Sequence, residues 1–393
     1  MVSKIRFKNF KLFKNWQELE IKPITILIGK NNSGKTAVLK LPTMISEGLK
    51  GNINEAIKLD FDGIKLGSEY SDLVYNRKIL PGEFLELEIS NSTDDSTFAE
   101  LKLKVNLPTD MIKEKSEIFE WEYFENNVKL SEKEEASDFK GFIKSDDKIE
   151  DLFLNYDYLK ALRTEPEEEY PFKNEEYKKI GLKGENTYQI LIKSTINQDG
   201  VFESVSNWYK NNFENWSLEI NDDQIFNSKN KKYIFSIRNN NIEPINLPYT
   251  GQGITQALPL ITRSYMKDEE PVLIIMEEPE SHLHPAAHGN LAQRFVESYL
   301  EDDNKRYLIE THSKNFILRL QALVADQEFN FKNNDIAVYY VDYLENEQLS
   351  ILDRLNLNEF GEFDKWPEEI FNESYKELLL LKQKQAERDD SNH

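Results

Sequence analysis

The stretch Ile24-Thr25-Ile26-Leu27-Ile28-Gly29-Lys30-Asn31-Asn32-Ser33-Gly34-Lys35-Thr36 decides how the rest of this 393-residue chain is read. Residues Ile24–Ile28 are apolar at almost every position, as in a strand covered on both faces. Residues Lys35–Leu49 predict a helix. Between the two, Gly29–Thr36 fits the pattern G-x-x-x-x-G-K-[ST] at the strand-to-helix turn where that pattern has a physical purpose. Its glycines let the backbone curl so that successive N–H groups face phosphate oxygens, and the helix N-terminus adds partial positive charge. Gly29, Lys30, Asn31, Asn32, Ser33, Gly34, Lys35, Thr36 and Ala37 are therefore the expected nucleotide-binding set, with Lys35 reaching the phosphates and Thr36 ligating Mg²⁺.

Working outward, Val272-Leu273-Ile274-Ile275-Met276 runs straight into Glu277-Glu278. A buried strand of this kind delivers two carboxylates to the C-terminal edge of a sheet, where ligands sit in open α/β folds. Glu277 is expected to hold Mg²⁺ and Glu278 to accept a proton from the attacking water. Taken alone, an apolar strand ending in two acids is weak; its pairing with the phosphate loop gives it weight.

Elsewhere the pattern predicts an α/β chain with a mainly parallel sheet. Lys4–Phe10 alternates like a half-buried strand. Period-two segments from Glu83 to about Leu130 predict an antiparallel meander. Asp147–Arg163 reads as a helix or a strand-to-loop passage, Tyr177–Phe213 as mainly helical, and the Asn-rich run 207–241 as connections. After Thr250, helix 254–266, strand 272–276, helix 286–300, strand 306–310, helix 314–325 and strand 335–342 alternate as helices and parallel strands do. The expected units are an ATPase core in two parts, 1–130 and 246–365, a helical or mixed lobe over 131–245, and a C-terminal helix and tail over 366–393.

These residues resemble ABC-type P-loop ATPases of the RecF/SMC/OLD group. The resemblance rests on the opening IRFKNFKLF, the loop GKNNSGKT, the stretch IIMEEPESHLHP, and Glu310-Thr311-His312-Ser313 at the end of another apolar run. It implies an ABC-type ATPase head that dimerises around ATP and Mg²⁺. It also implies that His312 is the switch residue at the γ-phosphate, that Ser281–His284 form the D-loop, and that Lys35, Glu278 and His312 carry catalysis. Thr250-Gly251-Gln252-Gly253 looks like the signature segment that binds the ATP of the opposite subunit, although Thr250 and Gln252 depart from the usual S-G-G pattern. An ordinary glycine turn into a core helix is the other reading of that segment. The segments 66–78, 159–172, 181–191 and 361–371 are similar to a bacterial OLD-like subgroup, many members of which belong to anti-phage defence systems. That similarity implies a homodimer or higher homo-oligomer controlling a separate effector protein, a nuclease, with nucleic acid reached through the complex. A RecF/SMC-like DNA repair ATPase and a slow-turnover, nucleotide-gated scaffold are the alternatives. The cassette group's Q-loop glutamine is missing near 66–78, where Asp72 either substitutes for it or belongs to a surface turn.

Composition narrows the classes. Lys and Arg number 49 against 71 Asp and Glu, a formal charge of −22, which disfavours non-specific clamping of nucleic acid by the whole surface. Lys4, Arg6, Lys8, Lys11 and Lys14 make the most basic stretch, whose alternation places several charges on one strand face, more a solubilising surface than a DNA contact. With no Cys, disulfides, thiolate metal sites and Cys nucleophiles are excluded. A cytoplasmic location is expected, with no signal peptide and no membrane contact, since no apolar run nears the roughly 18 residues that span a bilayer. His282, His284 and His288 invite a zinc reading, but no further ligand accompanies them and a polar D-loop is favoured. Arg163 is expected to pair with the run Glu165–Glu169, or else to face phosphate. The stripe in Glu369–Lys384 is expected to pack on the body.

Overall fold

The computed structural model describes residues 1–93, 96–109, 115–126, 128–130, 139–144, 149, 151–222, 231–240, 242–366 and 373–390. In chain order, β1 (Lys4–Lys8), β2 (Gln17–Glu20) and β3 (Ile24–Gly29) lead into α1 (Lys35–Leu49). The meander follows as β4 (Leu85–Thr93), β5 (Ser96–Asn106), β6 (Glu117–Glu125) and β7 (Val128–Lys129). Next come β8 (Asn155–Leu159), β9 (Tyr170–Pro171), α2 (Thr187–Asn197) and α3 (Val201–Asn212). After them lie β10 (Ser217–Asp222), β11 (Lys232–Asn239), β12 (Ile242–Asn246) and α4 (Gln252–Tyr265). The chain closes with β13 (Val272–Glu277), α5 (Pro285–Glu301), β14 (Lys305–Glu310), α6 (Lys314–Ala325), β15 (Ile336–Leu344), β16 (Leu349–Leu355) and α7 (Glu373–Asp390).

The central sheet has the order β8-β13-β14-β3-β15-β16, parallel except for the last pair. Its alternation divides the core. Ile24, Ile26, Ile28, Ile274, Met276, Tyr307 and Ile309 face a layer built from α4, α5, α6, α2 and α3. Leu27, Leu273, Ile275 and Leu308 face α1 and the meander. Covering both faces requires apolar residues at successive positions, which is why β3, β13 and β14 are hydrophobic runs. The meander forms a six-stranded antiparallel sheet in the order β2-β1-β4-β5-β6-β7.

The α/β reading with a mainly parallel sheet holds, and three elements differ in detail. Residues 155–159 form a strand, and that strand is the edge of the central sheet, pairing with β13 from Asn155↔Val272 to Leu159↔Met276. The Asn-rich run read as connections contains β10 and β11, which with β9 and β12 make a four-stranded antiparallel sheet. There Leu218, Tyr233, Phe235 and Ile237 supply an apolar face, while neighbouring asparagines and lysines mask the alternation. Strand β16 was not anticipated; it folds back on β15 through a turn closed by Gln348 at φ 56°.

Two surface expectations also resolve. Lys4, Arg6 and Lys8 pair across the sheet with Glu18, Glu88 and Glu86, so the basic strand face is charge-compensated. In α7, Leu378, Leu379, Leu380 and Leu381 are exposed instead of packed on the body. No helix among the described residues is long and apolar enough to cross a membrane.

Candidate functional site

The phosphate loop is shaped from beneath. Gly29 has φ 156°, and a Cβ there would lie 2.4 Å from the Val341 carbonyl oxygen of β15, so only glycine lets the strand leave the sheet at this point. Gly34 caps α1 at φ 103°, with the Phe13 ring 3.1 Å from where its Cβ would stand. Phe13 is fixed edge-on against Phe7, so the opening FKNFKLF is the floor of the loop. The Ser350 hydroxyl donates to the Ser33 carbonyl at 2.7 Å and pins the loop from the β16 side. The Ala37 and Val38 N–H groups already donate to the Gly34 carbonyl at 3.0 and 3.2 Å, so the N–H groups ahead of them at the start of α1 are the ones a helix N-terminus offers to an anion.

Lys35 is buried. Its Nζ donates to the carbonyls of Gly29 (3.1 Å) and Lys30 (2.7 Å) and lies 3.7 Å from Glu310 Oε1. Burial pulls its pKa below the ordinary lysine value, opposed by Glu310 and Glu278. The Thr36 hydroxyl donates to Glu310 Oε2 at 2.8 Å. Burial pushes the Glu310 carboxyl up, opposed by the Thr36 hydrogen bond and by Lys35, and reinforced by Glu277 and Glu278.

On the far side, β13 delivers its two acids differently. Glu277 accepts from the Tyr158 hydroxyl at 2.6 Å and from the Ala161 N–H at 3.3 Å. Glu278 sits in left-handed backbone at φ 38°, a conformation that costs a non-glycine residue of order 1–3 kcal/mol and persists where the surroundings impose it. Those surroundings are specific. Its N–H donates to the Glu310 carbonyl at 2.9 Å, Ser281 Oγ donates to its Oε2 at 3.0 Å, and Arg163 donates to its carbonyl at 3.2 Å. His312 Nε2 lies 3.8 Å from Glu278 Oε1. Burial lowers the His312 pKa, aided by Lys35 and opposed by Glu278, which favours the neutral imidazole. Its backbone N–H donates at 2.7 Å to buried Glu280, which ties the two strand ends together.

Thus Lys35, Thr36, Glu277, Glu278 and His312 lie at the C-terminal edge of one sheet, the first four expected there from the sequence pattern and His312 from the family resemblance. The donor set suits a hard cation: a hydroxyl and several carboxylates, the oxygen ligands that Mg²⁺ takes. Ligand atoms of Glu278, Glu310 and His312 lie within 4.8 Å of one another.

Thr250–Gly253 has local partners. Thr250 turns back on the Leu247 carbonyl, donating to it from both N–H (3.1 Å) and Oγ1 (2.7 Å). Gly251 caps α4, and Gly253 lies against His282, whose carbonyl would be 3.0 Å from an added Cβ. The segment therefore touches Ser281–His284, the stretch read as the D-loop.

Arg163 answers to neither expectation. It is buried, donating to the carbonyls of Gln256 (3.3 Å), Glu277 (3.4 Å) and Glu278 (3.2 Å), and burial lowers its pKa to about 10. It ties α4 to the end of β13, because strand-end carbonyls deep in the fold need donors more than surface glutamates need a partner. The histidines do not gather a metal: His288 bonds Ser313 Oγ (2.7 Å) and the Leu283 carbonyl (3.1 Å), and His284 Nδ1 caps α5 at Ala286. Asp72 caps its own turn at Ser68 and Glu69 and pairs with Arg77. The residues that sequence reasoning missed are Tyr158, Gln256, Glu280 and the contact of Glu310 with Thr36. For Glu310 a signal existed, since it ends an apolar run just as Glu277 does.

Comparison with known proteins agrees with this geometry. The family model described as "AAA ATPase domain" matches residues 1–234 and 203–317. The chain is similar to the solved "SmcHead bound to the C-winged helix domain of ScpA", with TM-score 0.52 and 12% identity over 91% of this chain and 98% of that one. It is also similar to the Smc head domain with an extended coiled coil bound to the C-terminal domain of ScpA from Pyrococcus furiosus. That match has TM-score 0.51 and 11% identity over 90% of this chain and 96% of the other. At such identity the likeness concerns the fold alone, an ABC-type head. No curated protein matches the chain.

Proposed function

Since this chain belongs to the AAA ATPase domain family, we propose that it binds ATP with Mg²⁺ at Gly29–Ala37 and hydrolyses it. The observation that carries this reading is Glu278, held in strained backbone within 3.8 Å of His312 at the same sheet edge as Lys35. Strain of this kind clusters where a side chain must be aimed. Lys35 exchanges its two loop carbonyls for phosphate oxygens. Glu278 accepts the proton of the attacking water at a carboxylate oxygen, while His312, neutral, hydrogen-bonds that water or the γ-phosphate through Nε2. Mg²⁺, when bound, neutralises charge on the phosphates, and Thr36 with the strand-end carboxylates, Glu277 among them, holds it.

In this reading residues 1–130 and 246–365 form the ATPase core. Residues 131–245 form the inserted lobe, apart from Asn155–Leu159, which the core sheet takes as its edge strand, and 366–393 form the tail. Thr250–Gly253, set beside His282, serves the ATP of a second copy, so the active form is a homodimer or higher homo-oligomer. The biological role we assign is that of an OLD-like ATPase subunit in a bacterial anti-phage defence complex, governing a separate nuclease from the cytoplasm. A RecF-like repair role would ask for direct DNA contact, and the compensated charges of Lys4, Arg6 and Lys8 speak against that face.

Phosphate release by purified protein and by Glu278→Gln tests the chemistry. General-base loss should lower turnover by about 10²–10⁴-fold; equal rates would remove Glu278 from that role. The defence role is tested by plaque counts on cells carrying the chain with its neighbouring gene. Protection lost on Glu278→Gln supports it, and undiminished protection opposes it.

A further inference from the structure

We propose that Glu280 is a positioning residue for hydrolysis: its carboxylate fixes the backbone at His312 and so sets where the imidazole stands beside Glu278. The inference rests on the ATPase reading above and assigns a residue role within it. Strands β13 and β14 pair in parallel as far as Glu277↔Glu310, and the Glu278 N–H adds one more rung to the Glu310 carbonyl at 2.9 Å. The next rung of a parallel ladder would run from the His312 N–H to the Glu278 carbonyl. That rung is replaced. Glu278 turns the chain at φ 38°, and its carbonyl accepts from Arg163 at 3.2 Å and from the Ser281 N–H at 3.0 Å. The Glu280 side chain supplies the acceptor instead, with Oε1 2.7 Å from the His312 nitrogen.

The residues on either side of His312 are held as well. The Thr311 N–H donates to the Leu27 carbonyl of β3 at 3.1 Å. From α5, His288 bonds Ser313 Oγ at 2.7 Å and the Leu283 carbonyl at 3.1 Å. A carbonyl can only accept, so Nε2 of His288 carries a hydrogen, and in the neutral ring Nδ1 accepts from the Ser313 hydroxyl. Thr311, His312 and Ser313 are thus tied to three different elements, and Glu280 is the tie on the residue that carries the ring. Glu280 is 7% exposed, and Arg163, which faces Glu280, Glu277 and Glu278, offsets the cost of burying its charge. One carboxylate therefore has two uses, acceptor for His312 and counter-charge for Arg163. Glutamine keeps an acceptor oxygen at the same reach and drops the charge. Aspartate keeps the charge and withdraws the oxygen by one C–C bond, about 1.5 Å.

Phosphate release and the binding of a fluorescent, non-hydrolysable ATP analogue with magnesium, both by the full chain, separate the two uses. Glu280→Asp should lower turnover about tenfold or more with analogue affinity within about threefold of wild type, because the reacting groups are misaimed while the phosphate loop is untouched. Glu280→Gln should keep turnover within about threefold, since the His312 N–H retains its acceptor. In a His312→Ala background, Glu280→Asp should cost less than about threefold more, because the ring that it aims is gone. Glutamine impairing turnover as much as aspartate or more would make Glu280 the counter-charge of Arg163 and overturn the proposal. Full turnover in Glu280→Asp, or a loss that multiplies with that of His312→Ala, overturns it too. If Glu280→Asp unfolds or binds no analogue, Glu280 is a structural residue and the proposal ends. Each of these results leaves nucleotide hydrolysis by wild type intact; no analogue binding or no phosphate release by wild type would instead refute the ATPase reading itself.

Discussion

The two ends of the central sheet each bury a cluster of charge, and the clusters are built to opposite plans. At the N-terminal end of the parallel strands, Arg263 of α4 gives Nε to Asp157 at 2.7 Å and both terminal nitrogens to Asp268 at 2.9 Å. Burial alone would lower its pKa, but Asp157 and Asp268 outweigh it and hold the guanidinium charged. At the C-terminal end Lys35 leans on two carbonyls, its nearest carboxylate is 3.7 Å away, and burial wins. A charge whose donors are all matched is a strut; a charge left short of partners is waiting for one. The difference between Arg263 and Lys35 is the one that the nucleotide site proposed at the C-terminal end requires.

The largest expected effect breaks the strut. Arg263→Met strands Asp157 inside the core, and removing one partner of a buried pair costs about 3–5 kcal/mol. Denaturant midpoints should fall accordingly, and pairing the change with Asp157→Asn should recover most of the loss, since replacing both partners is close to neutral. A single variant as stable as wild type would show that the matched cluster contributes nothing, and the contrast between the two ends would collapse.

The matching substitution at the other end should touch binding in place of stability. Lys35→Met removes charge-assisted hydrogen bonds to phosphate, worth about 1.5–3 kcal/mol, or roughly 10- to 100-fold in nucleotide affinity. Its unfolding free energy should move by less than that of Arg263→Met, because its hydrogen-bond acceptors are neutral carbonyls and Glu310, 3.7 Å away, keeps the Thr36 hydroxyl when the ammonium is gone. Calorimetric titration with ATP beside a denaturation curve reads both numbers. A variant that unfolds readily yet binds normally would reverse the comparison.

How far each end could be read from sequence follows from the range of its interactions. Gly29–Thr36 is local: eight consecutive residues carry strand exit, loop and helix start, so both the loop and its neighbourhood were legible. Glu277-Glu278 were legible because they follow an apolar run, and His312 because Glu310-Thr311-His312-Ser313 resembles the family's motif. The strut was not, since Asp157, Arg263 and Asp268 join a strand, a helix and a loop that only folding brings together. Arg163 shows the same limit in reverse: five nearby residues rich in glutamate suggested a surface partner, while its real acceptors lie 93–115 positions away. Residues 155–159 were hard to classify because Asn155 and Asp157 interrupt an otherwise apolar strand, and Asp157 is there for Arg263.

The smallest effect sharpens the comparison through pH. Lys305 begins β14 at the strut end, buried, donating to the Ser264 carbonyl at 3.0 Å and Ser298 Oγ at 3.3 Å, with Asp302 at 3.7 Å. Burial, with Arg263 adding to it, lowers its pKa to about 8 from an ordinary 10.5. Between those two values the unfolded chain binds more protons than the folded one, so stability must rise with pH across that window. Below about pH 8 both states carry the proton and the cost of burying the ammonium is borne in full; above 10.5 neither does. Comparing pH 7.5 with 9.5, wild type should gain on the order of 1 kcal/mol relative to Lys305→Met, which has no such group. Chemical denaturation of both proteins at the two values isolates the lysine, because every other titrating group is shared. A constant difference would mean that the hydroxyl, carbonyl and Asp302 already satisfy Lys305 as completely as the two aspartates satisfy Arg263; the expected rise shows that a buried cation short of partners occurs at the strut end as well, so that Lys35 is set apart by the phosphate loop around it and not by its missing partners alone.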